Sequence, residues 1–336
     1  MSITVLEPGL LTSVQDLGRT DYQQFGVVVG GAMDSNALRV ANAVVDNPED
    51  AAGLEITLRG PALRFDHSLM IAICGADLAP RIDGFPVKTW RPLAVRQGSV
   101  LRFGEPRRGC RAYIAIAGGI DVPLVMGSRS TYLRAQIGGF KGRSLRAGDE
   151  LKIFPPSESV ARRTQCWLEA AQPVPLYCPS WSVAEDSQAA NDSVVTVRAL
   201  RGAQFDWFDA ATHEAIFADE FTVTTQSDRM GYRLAGPPLR LAKDREMISE
   251  AVTAGTIQVP PAGQPIVLMA DRQTTGGYPK IADVATVDLS ALAQARPGDK
   301  IRFQEIDIEE AQQLIRTQHN HLEMLKQALL LREDEP

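Results

Sequence analysis

A single stretch of the chain combines residue types that suit chemistry on a polarised carbonyl oxygen. Residues 271–275 are Asp-Arg-Gln-Thr-Thr, and they follow an apolar run, 265–269, that predicts a buried strand. Gly276 and Gly277 come next, and paired glycines permit positive φ and a close backbone approach to a ligand. Guanidinium, amide and hydroxyl groups beside such a turn suit the binding of a planar anion or amide and the stabilisation of charge on its oxygen.

We expect the catalytic residues to be Asp271 and Arg229. Asp271 is a candidate general base, as is Asp16, and Arg229 is the candidate to bind a substrate carboxylate through its planar fork of donors. The expected substrate-binding residues are polar, aromatic or glycine positions in this loop and in other glycine-containing segments: Arg272, Gln273, Thr274, Gly276, Gly277, Tyr278, Tyr232, Arg19, Ser128 and Arg129.

A structural interpretation of the same residues stays open. Aspartate and threonine side chains in tight turns often bond their own backbone, and an aspartate next to an arginine is frequently one half of an ion pair. Taken singly, Arg19 and Arg229 are typical structural arginines. Their similar positions in two related stretches favour a functional role.

Several common catalytic motifs are absent from the sequence. It has no phosphate-binding loop of the type G-x-x-x-x-G-K-[ST], no dinucleotide-binding glycine motif, no H-E-x-x-H and no G-x-S-x-G. Only four histidines are present, which disfavours His-based catalysis, and no metal site is predicted. The cysteines lie far apart, which argues against zinc or dithiol chemistry and for reduced thiols: Cys74, Cys110, Cys166 and Cys178.

Length and charge restrict the class of partner. The chain of 336 residues is long enough for two domains, and its formal net charge of -6 argues against a nucleic acid or an anionic membrane. No apolar run reaches the length of a membrane span, and the N-terminus lacks the basic and apolar regions of a signal peptide. We therefore expect a cytoplasmic protein that acts on a small molecule.

The elements that must position these residues are mainly strands. Short apolar runs separated by glycine and proline predict a mainly β fold of two barrel or sandwich domains with a C-terminal helix. A helix is also expected over 33–45, capped by Asp34 or Ser35. The expected segments are an N-terminal β domain with an added arm over 1–155, a Pro-rich linker with a short helix over 156–192, a second β domain over 193–306 and an amphipathic helix over 307–336.

The second half of the chain restates motifs of the first half. The segment 15–22, with its Gln-Asp, Arg and Tyr, has an echo in 226–232, and 96–103 has an echo in 296–303. Two related β domains would explain both echoes. The alternative for the second echo is a common approach to a hairpin, since Gly-Asp before an apolar run also occurs at Gly148.

Taken together, the motifs resemble the allophanate hydrolase subunit 2 family, also called the biotin-dependent carboxyltransferase-like family. The resemblance covers residues 3–303, and bacterial stand-alone members of the family include the C subunit of 5-oxoprolinase and the antagonist of a sporulation-kinase inhibitor. The stretches that carry it are SVQDLGR and GAMDSNALRVAN, AIAGGIDVPLVMGSRSTY and GRSLRAGDEL, QSDRMGYRLAG and GTIQVPPAGQPIVLMADRQTTGGYPKIADV.

The resemblance implies two cyclophilin-like β-barrel domains and a share in an ATP-dependent 5-oxoprolinase, a hydrolase that opens 5-oxo-L-proline to L-glutamate. It also implies ATP with Mg²⁺ and no covalently attached biotin. The implied partners are an allophanate hydrolase subunit 1-like protein, which is the B subunit of 5-oxoprolinase, and the lactam-utilisation protein that forms its A subunit. Two alternatives stay open: a carboxyltransferase component of a biotin-dependent urea carboxylase and allophanate pathway, and a non-catalytic regulator that binds a kinase-inhibitor-like partner.

Overall fold

Strands dominate the two units into which the chain divides. A computed structural model of the chain describes residues 1–183 and 194–331. Of these, the first unit takes 1–19, 34–183 and 321–331, and the second takes 20–33 and 194–320. Both units consist mainly of strands, and helix α5 (Ile308–Leu330) lies near the C-terminus. The predicted mainly β fold with a C-terminal helix is therefore confirmed.

The first unit contains two six-stranded antiparallel sheets. One has the order β11-β1-β4-β9-β6-β7 and the other the order β12-β8-β5-β10-β3-β2. Inward side chains of both sheets, among them Ile3, Val5, Ile71 and Ile73, are fully buried in one core. The strands are β1 (Ser2–Glu7), β2 (Leu11–Gln15), β3 (Gly53–Thr57), β4 (Ala62–Phe65), β5 (Leu69–Asp77), β6 (Arg81–Ile82), β7 (Phe85–Pro86), β8 (Pro92–Val95), β9 (Val100–Arg102), β10 (Arg108–Ile116), β11 (Glu150–Lys152) and β12 (Leu176–Tyr177).

Helix α1 (Ser35–Val44) begins where the sequence predicts. The Asp34 carboxylate accepts a hydrogen bond from the Ala37 amide at 3.0 Å, which satisfies one of the free donors at the helix start. Leu38 and Ala41 lie on one face of the helix and are buried. The helix packs on β5 and β10 through this face.

Residues 156–183 of the region expected to be a Pro-rich linker, 156–192, belong to the first unit. The region holds helix α2 (Glu158–Ala170), and β12 pairs antiparallel with β8. Its prolines lie outside the helix and the strand, in the irregular segments before and after them, where proline is tolerated. Residues 184–192 lie outside the described residues.

The second unit is a closed barrel of seven strands. The order around it is β13-β20-β17-β18-β15-β14-β21, and β16 pairs with β19 in a separate two-stranded sheet. Val197, Phe221, Ile257 and Phe303 are buried in its core. The strands and helices are β13 (Val194–Arg201), α3 (Ala210–Ala218), β14 (Glu220–Val223), β15 (Gly231–Ala235), β16 (Glu250–Ala251), β17 (Thr256–Gln258), β18 (Ile266–Leu268), β19 (Thr275–Gly276), β20 (Lys280–Val284), α4 (Leu289–Gln294) and β21 (Lys300–Glu305).

The segment 20–33 belongs to the second unit, although the expected domain limits place it inside a continuous N-terminal domain over 1–155. It contains a short 3-10 helix, Thr20–Phe25, and its Met33 joins the barrel core. The sequence limits of the two expected β domains otherwise stay a prediction.

Helix α5 begins after a capping aspartate. The Asp307 carboxylate accepts a hydrogen bond from the Glu310 amide at 2.8 Å. Ala311 and Leu322 are buried, whereas Ile308 remains 51% exposed, so only part of the apolar stripe is covered. No helix among residues 1–183 and 194–331 is long and apolar enough to cross a membrane.

The same four-residue turn occurs three times, at 96–99, 146–149 and 296–299. In each, the amide of the fourth residue donates to the carbonyl of the first, an arginine, at 3.2, 3.1 and 3.0 Å. The third residue is a glycine with φ of 85°, 86° and 97°, a conformation that other residues rarely adopt. The same turn at 146–149 has no counterpart in the echo between 96–103 and 296–303. Part of that echo therefore reflects a recurrent turn sequence and does not by itself indicate two related domains.

One of these turns predicts a pH-dependent contribution to stability. Arg143 binds the Asp149 carboxylate through two hydrogen bonds of 2.7 and 2.8 Å. This pairing, against a smaller effect of burial and with help from the Arg146 amide, lowers the pKa of Asp149. Because the folded-state pKa lies below the unfolded value of about 3.9, the stabilisation is present above that pH and is lost as pH falls through the folded-state pKa.

We expect Asp149→Asn to lower the free energy of unfolding at pH 7, with a deficit that shrinks as pH falls below about 4. Urea unfolding of wild type and variant across this range measures the difference. A deficit that is the same at pH 7 and in acid would contradict the assigned role of the Arg143 pair.

Candidate functional site

The loop that follows β18 is fixed by backbone contacts to the residues before β15. The amide of Met269 donates to the carbonyl of Met230 at 2.9 Å, and the amide of Asp271 donates to the carbonyl of Arg229 at 2.8 Å. The amide of Arg272 then donates back to Met269 at 3.3 Å, which closes a turn. The polar run therefore starts from a rigid point on the barrel.

Arg229 and Asp271, the two expected catalytic residues, form a buried ion pair. Arg229 Nε donates to Asp271 Oδ2 at 3.0 Å, and Arg229 Nη2 donates to Asp271 Oδ1 at 2.9 Å. The two residues are only 6% and 5% exposed. The guanidinium fork that was expected to hold a substrate carboxylate thus holds a carboxylate of the chain itself. The geometry favours the structural alternative for this pair, and a catalytic role for either residue stays a prediction.

A segment from early in the chain closes the other side of this pair. Arg229 Nη2 also donates to the carbonyl oxygen of Gly31 at 2.6 Å, and the Gly30 amide donates to the carbonyl of Ala270 at 3.2 Å. Both glycines have positive φ. The sequence patterns did not place this segment beside the loop, although a glycine pair just before a helix cap is a visible signal of an unusual backbone path.

Arg272 is a buried cation whose donors are poorly satisfied. It is 8% exposed, its Nε has no hydrogen-bond partner, and its Nη1 makes one long contact of 3.5 Å to the Met269 carbonyl. Burial lowers the pKa of its guanidinium, and no nearby carboxylate acts against this effect. Within residues 1–183 and 194–331, no Asp or Glu oxygen lies within 4.0 Å of its nitrogens. Buried cations of this kind are more frequent at functional sites than elsewhere.

Gly276 and Gly277 do not have the positive φ that was expected of them. For Gly276 the reason is that residues 275–276 form strand β19 and are extended. Gly276 is required instead by a close approach, since an added Cβ would lie 2.3 Å from Gln258 Nε2. Gln258 is 2% exposed, donates to the carbonyl of Tyr278 at 3.3 Å and accepts a long contact of 3.5 Å from Gln273 Nε2. Gln258 was not among the expected site residues, and its place under the loop depends on strand pairing.

This correction predicts different effects for the two glycines. Gly276→Ala should displace the Gln258 amide and destabilise the chain by about 1–3 kcal/mol, the usual cost of overpacking. Gly277→Ala is the matched control, because its added Cβ would meet Ser249 Oγ at 3.3 Å, which a small shift relieves. Thermal unfolding of the two variants compares them directly. Equal effects would show that Gln258 does not restrict position 276.

The remaining loop residues differ in their access to solvent. Thr274 and Gln273 are half-buried, and Tyr278 is 45% exposed at the far end of the loop. Tyr232 is 2% exposed, and its hydroxyl donates to the carbonyl of Ala295 at 3.3 Å. Tyr232 is therefore packed in the barrel, whereas the other three have surface that a ligand can reach.

The other expected site residues, Arg19, Ser128 and Arg129, lie in the first unit around Asp16. The Asp16 carboxylate accepts hydrogen bonds from the Ser128 hydroxyl at 2.7 Å, from the Ser130 hydroxyl and from the Arg129 amide. Arg19 is 1% exposed and donates from Nη2 to the Ser130 carbonyl at 2.6 Å. Asp16, the second candidate base, thus has its oxygens engaged in holding a loop. A substrate-binding role for these residues stays a prediction.

Two solvent-open clefts in the first unit contain none of the expected site residues. The larger, of about 430 Å³, is lined by Glu7 and residues 58–62 and 102–106, and the smaller lies beside it around Arg81 and Asp83. Arg102 pairs with Glu7 at 2.8 Å, but both side chains are more than half exposed, and such pairs contribute little. The clefts carry no observation that favours a site there.

The fold and the loop belong to a known class of domain. Residues 25–305 match the family described as carboxyltransferase domain, subdomain A and B, and the chain belongs to that family. The matched range includes the barrel, the Arg229–Asp271 pair and the loop with Arg272. The family resemblance seen in the motifs is confirmed.

Within that family, the chain is similar to proteins named as the C subunit of 5-oxoprolinase. It is 39% identical to that of Escherichia coli (strain K12) and 37% identical to that of Haemophilus influenzae (strain Rd). Each comparison covers 96% of this chain and 97% of the relative. The similarity therefore includes both units.

Two solved structures of larger proteins are also similar. The urea amidolyase of K. lactis superimposes with a TM-score of 0.84 at 31% identity, over 96% of this chain and 20% of that chain. The Kluyveromyces lactis urea carboxylase gives a TM-score of 0.84 at 30% identity, over 99% of this chain and 30% of that chain. The chain thus spans between a fifth and a third of these proteins.

Proposed function

We propose that this chain is the C subunit of an ATP-dependent 5-oxoprolinase, which opens 5-oxo-L-proline to L-glutamate together with partner subunits. The observation that supports this most strongly is the identity of 37–39% to two proteins named as 5-oxoprolinase C subunits, over 96% of the chain. We assign its share of the substrate site to the loop 271–278.

The geometry of the loop suits a lactam whose carbonyl oxygen gains charge during ring opening. Donors that are fixed before the reaction stabilise such charge without reorganisation. The Arg229–Asp271 pair fixes the start of the loop, and Gln258 lies under its middle. Gln273 and Thr274 then offer an amide and a hydroxyl at a surface that is half-buried. We propose that they bind the lactam.

The described residues offer no all-protein Mg²⁺ site, and Mg²⁺ bound with ATP would take most of its ligands from phosphate and water. Residues 1–183 and 194–331 hold no group of three or more His, Cys, Asp or Glu that could bind a metal ion. The sequence has no phosphate-binding loop of the type that holds nucleotide phosphates. We therefore assign no step of nucleotide chemistry to this chain and propose that the assembled complex uses ATP, in the cytoplasm, without biotin attached to this chain.

The proposed partners are an allophanate hydrolase subunit 1-like protein, the B subunit of 5-oxoprolinase, and the lactam-utilisation protein that forms its A subunit. Two similar proteins are named as subunits of 5-oxoprolinase, which supports a complex of several chains for this protein too. The urea amidolyase structure supports it too, since the similar region there is 20% of a longer chain.

The second candidate function is a carboxyltransferase component that acts with biotin on urea. The TM-scores of 0.84 to urea amidolyase and urea carboxylase favour it. The carboxyltransferase function is the weaker candidate, because the chain matches a 5-oxoprolinase C subunit over 97% of that relative's length at 39% identity.

Reconstitution of the complex tests the proposal. ATP-dependent formation of glutamate from 5-oxo-L-proline is expected when this chain is mixed with its cognate A and B subunits, and omission of any one of the three should abolish it. Full-rate hydrolysis by this chain alone would overturn the proposed division of labour. The second candidate would be favoured by two results together. The mixture would form no glutamate from 5-oxo-L-proline, and this chain would support carboxyl transfer to urea in the presence of a biotin carboxylase.

A further inference from the structure

The loop 271–278 carries one cation that the fold itself does not neutralise. Arg272 lies in the loop and Arg229 lies beside it, bonded to Asp271, and both arginines are more than nine-tenths buried. Arg229 is bonded to both oxygens of Asp271 and to the carbonyl of Gly31. Because Asp271 is already taken, it does not compensate its chain neighbour Arg272.

The unmet bonding of Arg272 indicates the chemistry of its ligand. A guanidinium has five donors in a plane, and here Nε has no partner while Nη1 has one contact of 3.5 Å. Holding a charge in this state is unfavourable unless another group supplies acceptors and negative charge. A small planar oxyanion supplies both, because two of its oxygens match two parallel N–H groups.

The surroundings of Arg272 admit a ligand of this size. The residue keeps 8% of its surface exposed, and Gln273 and Thr274 next to it are half-buried. Thr275 and Gly277 are exposed. Partly buried donors therefore lie next to the cation on one short stretch of chain.

We propose that Arg272, and not Arg229, binds the carboxylate of 5-oxo-L-proline. This assignment rests on the proposed function and names the group that recognises the substrate's charge. The lactam ring then lies over Gln273 and Thr274, which is the side on which the loop continues. A phosphate group is the other oxyanion with matching chemistry, and the experiment separates the two.

Binding to the purified chain tests the assignment without any need for catalysis. In a buffer free of oxyanions, 5-oxo-L-proline is expected to raise the unfolding temperature of wild type. Pyrrolidin-2-one, the same lactam without a carboxylate, should not do so. Arg272→Met keeps the bulk of the side chain but removes the charge, so it should abolish the shift. It should not lower the unfolding temperature of the free chain, because it removes a charge that the fold leaves uncompensated.

The matched control is Arg233→Met, on β15 of the same unit. The Arg233 residue is exposed, so this variant should keep the full response to 5-oxo-L-proline. A strong destabilisation of the free chain by Arg272→Met, or an equal shift in both variants, would overturn the proposal. A shift of wild type by inorganic phosphate and not by 5-oxo-L-proline would overturn the carboxylate assignment.

Kinetics of the reconstituted complex give the second arm. Arg272→Met should raise KM for 5-oxo-L-proline on the order of tenfold to a hundredfold, since hydrogen bonds to charged groups are worth this much in binding. Arg272→Lys keeps the charge without the fork and should recover part of the loss. An unchanged KM in Arg272→Met would overturn the role. If no complex shows 5-oxoprolinase activity while the carboxylate-dependent shift persists, the proposed function fails and the anion site stands.

Discussion

Arg229→Met is expected to destabilise the chain by about 3–5 kcal/mol, the usual cost of leaving the partner charge of a buried ion pair uncompensated. Asp271 is 5% exposed and would lose both of its bonds to the guanidinium, and the Gly31 carbonyl would lose a donor at 2.6 Å. Asp271→Leu should have a cost of similar size. Chemical denaturation of the purified chain measures both.

The double variant Arg229→Met/Asp271→Leu separates the interaction between the two charges from the effect of each substitution alone. Its cost should be well below the sum of the two single costs, since no unpaired charge remains. Arg302→Met, which breaks a pair between the exposed Arg302 and the half-buried Glu220 in the same barrel, is the control and should hardly change the midpoint. Near-normal stability of both single variants would show that the Arg229–Asp271 pair is solvated and unimportant for the loop.

A second large effect is expected at Asp16 in the first unit. Asp16→Ala removes the acceptor of the Ser128 and Ser130 hydroxyls and of two amides, those of Gly18 and Arg129. Each hydrogen bond to a buried charge contributes about 1.5–3 kcal/mol, so a loss of at least about 3 kcal/mol is expected. Asp16→Asn keeps one acceptor oxygen and should lose less.

Asp121→Ala is the matched control for Asp16, because Asp121 lies in the same unit and is exposed. Equilibrium unfolding of the three variants ranks them. If Asp16→Ala were as stable as Asp121→Ala, the hydroxyl and amide contacts would be replaceable by water, and Asp16 would regain its place as a candidate base.

The fold was predictable where local patterns decide it. The apolar run 265–269 predicts β18, the cap at Asp34 or Ser35 predicts the start of α1, and the amphipathic pattern from residue 307 predicts α5. Which strands close into a barrel was not predictable, because closure depends on pairings between residues far apart in the chain. The place of 20–33 in the second unit depends on such contacts too.

The candidate site was predictable as a loop but not in its internal roles. The residue types of 271–275 indicate a polar loop after a buried strand, and the structure has one. Sequence alone cannot say which of two arginines is neutralised, because this depends on the orientation of Asp271 towards Arg229. The prediction of positive φ for the glycine pair was wrong for a related reason. Only glycine fits at position 276 because Gln258, which lies on another strand, approaches it closely.

The repeat illustrates both outcomes. Arg19 and Arg229 occupy related sequence positions, are both buried, and each donates Nη2 to a backbone carbonyl at 2.6 Å. The carboxylate that pairs with Arg229 belongs to Asp271, which lies 42 residues further along the chain and outside the echoed segment. The echo therefore indicates a buried arginine with a backbone contact, but it does not indicate the electrostatic partner.

The first and last strands of the barrel pair in parallel, Val194 with Lys300 through Ala199 with Glu305. During synthesis, the barrel therefore cannot close until the chain has been made as far as residue 305. Until then β13 presents an unpaired edge, and Gly30 and Gly31 have been synthesised long before Arg229 and Ala270, to which they are hydrogen-bonded. Folding that depends on contacts this far apart is slow, and open strand edges promote aggregation. The nascent second unit is consequently open to aggregation until β21 has been made, and truncation before β21 should direct it to inclusion bodies.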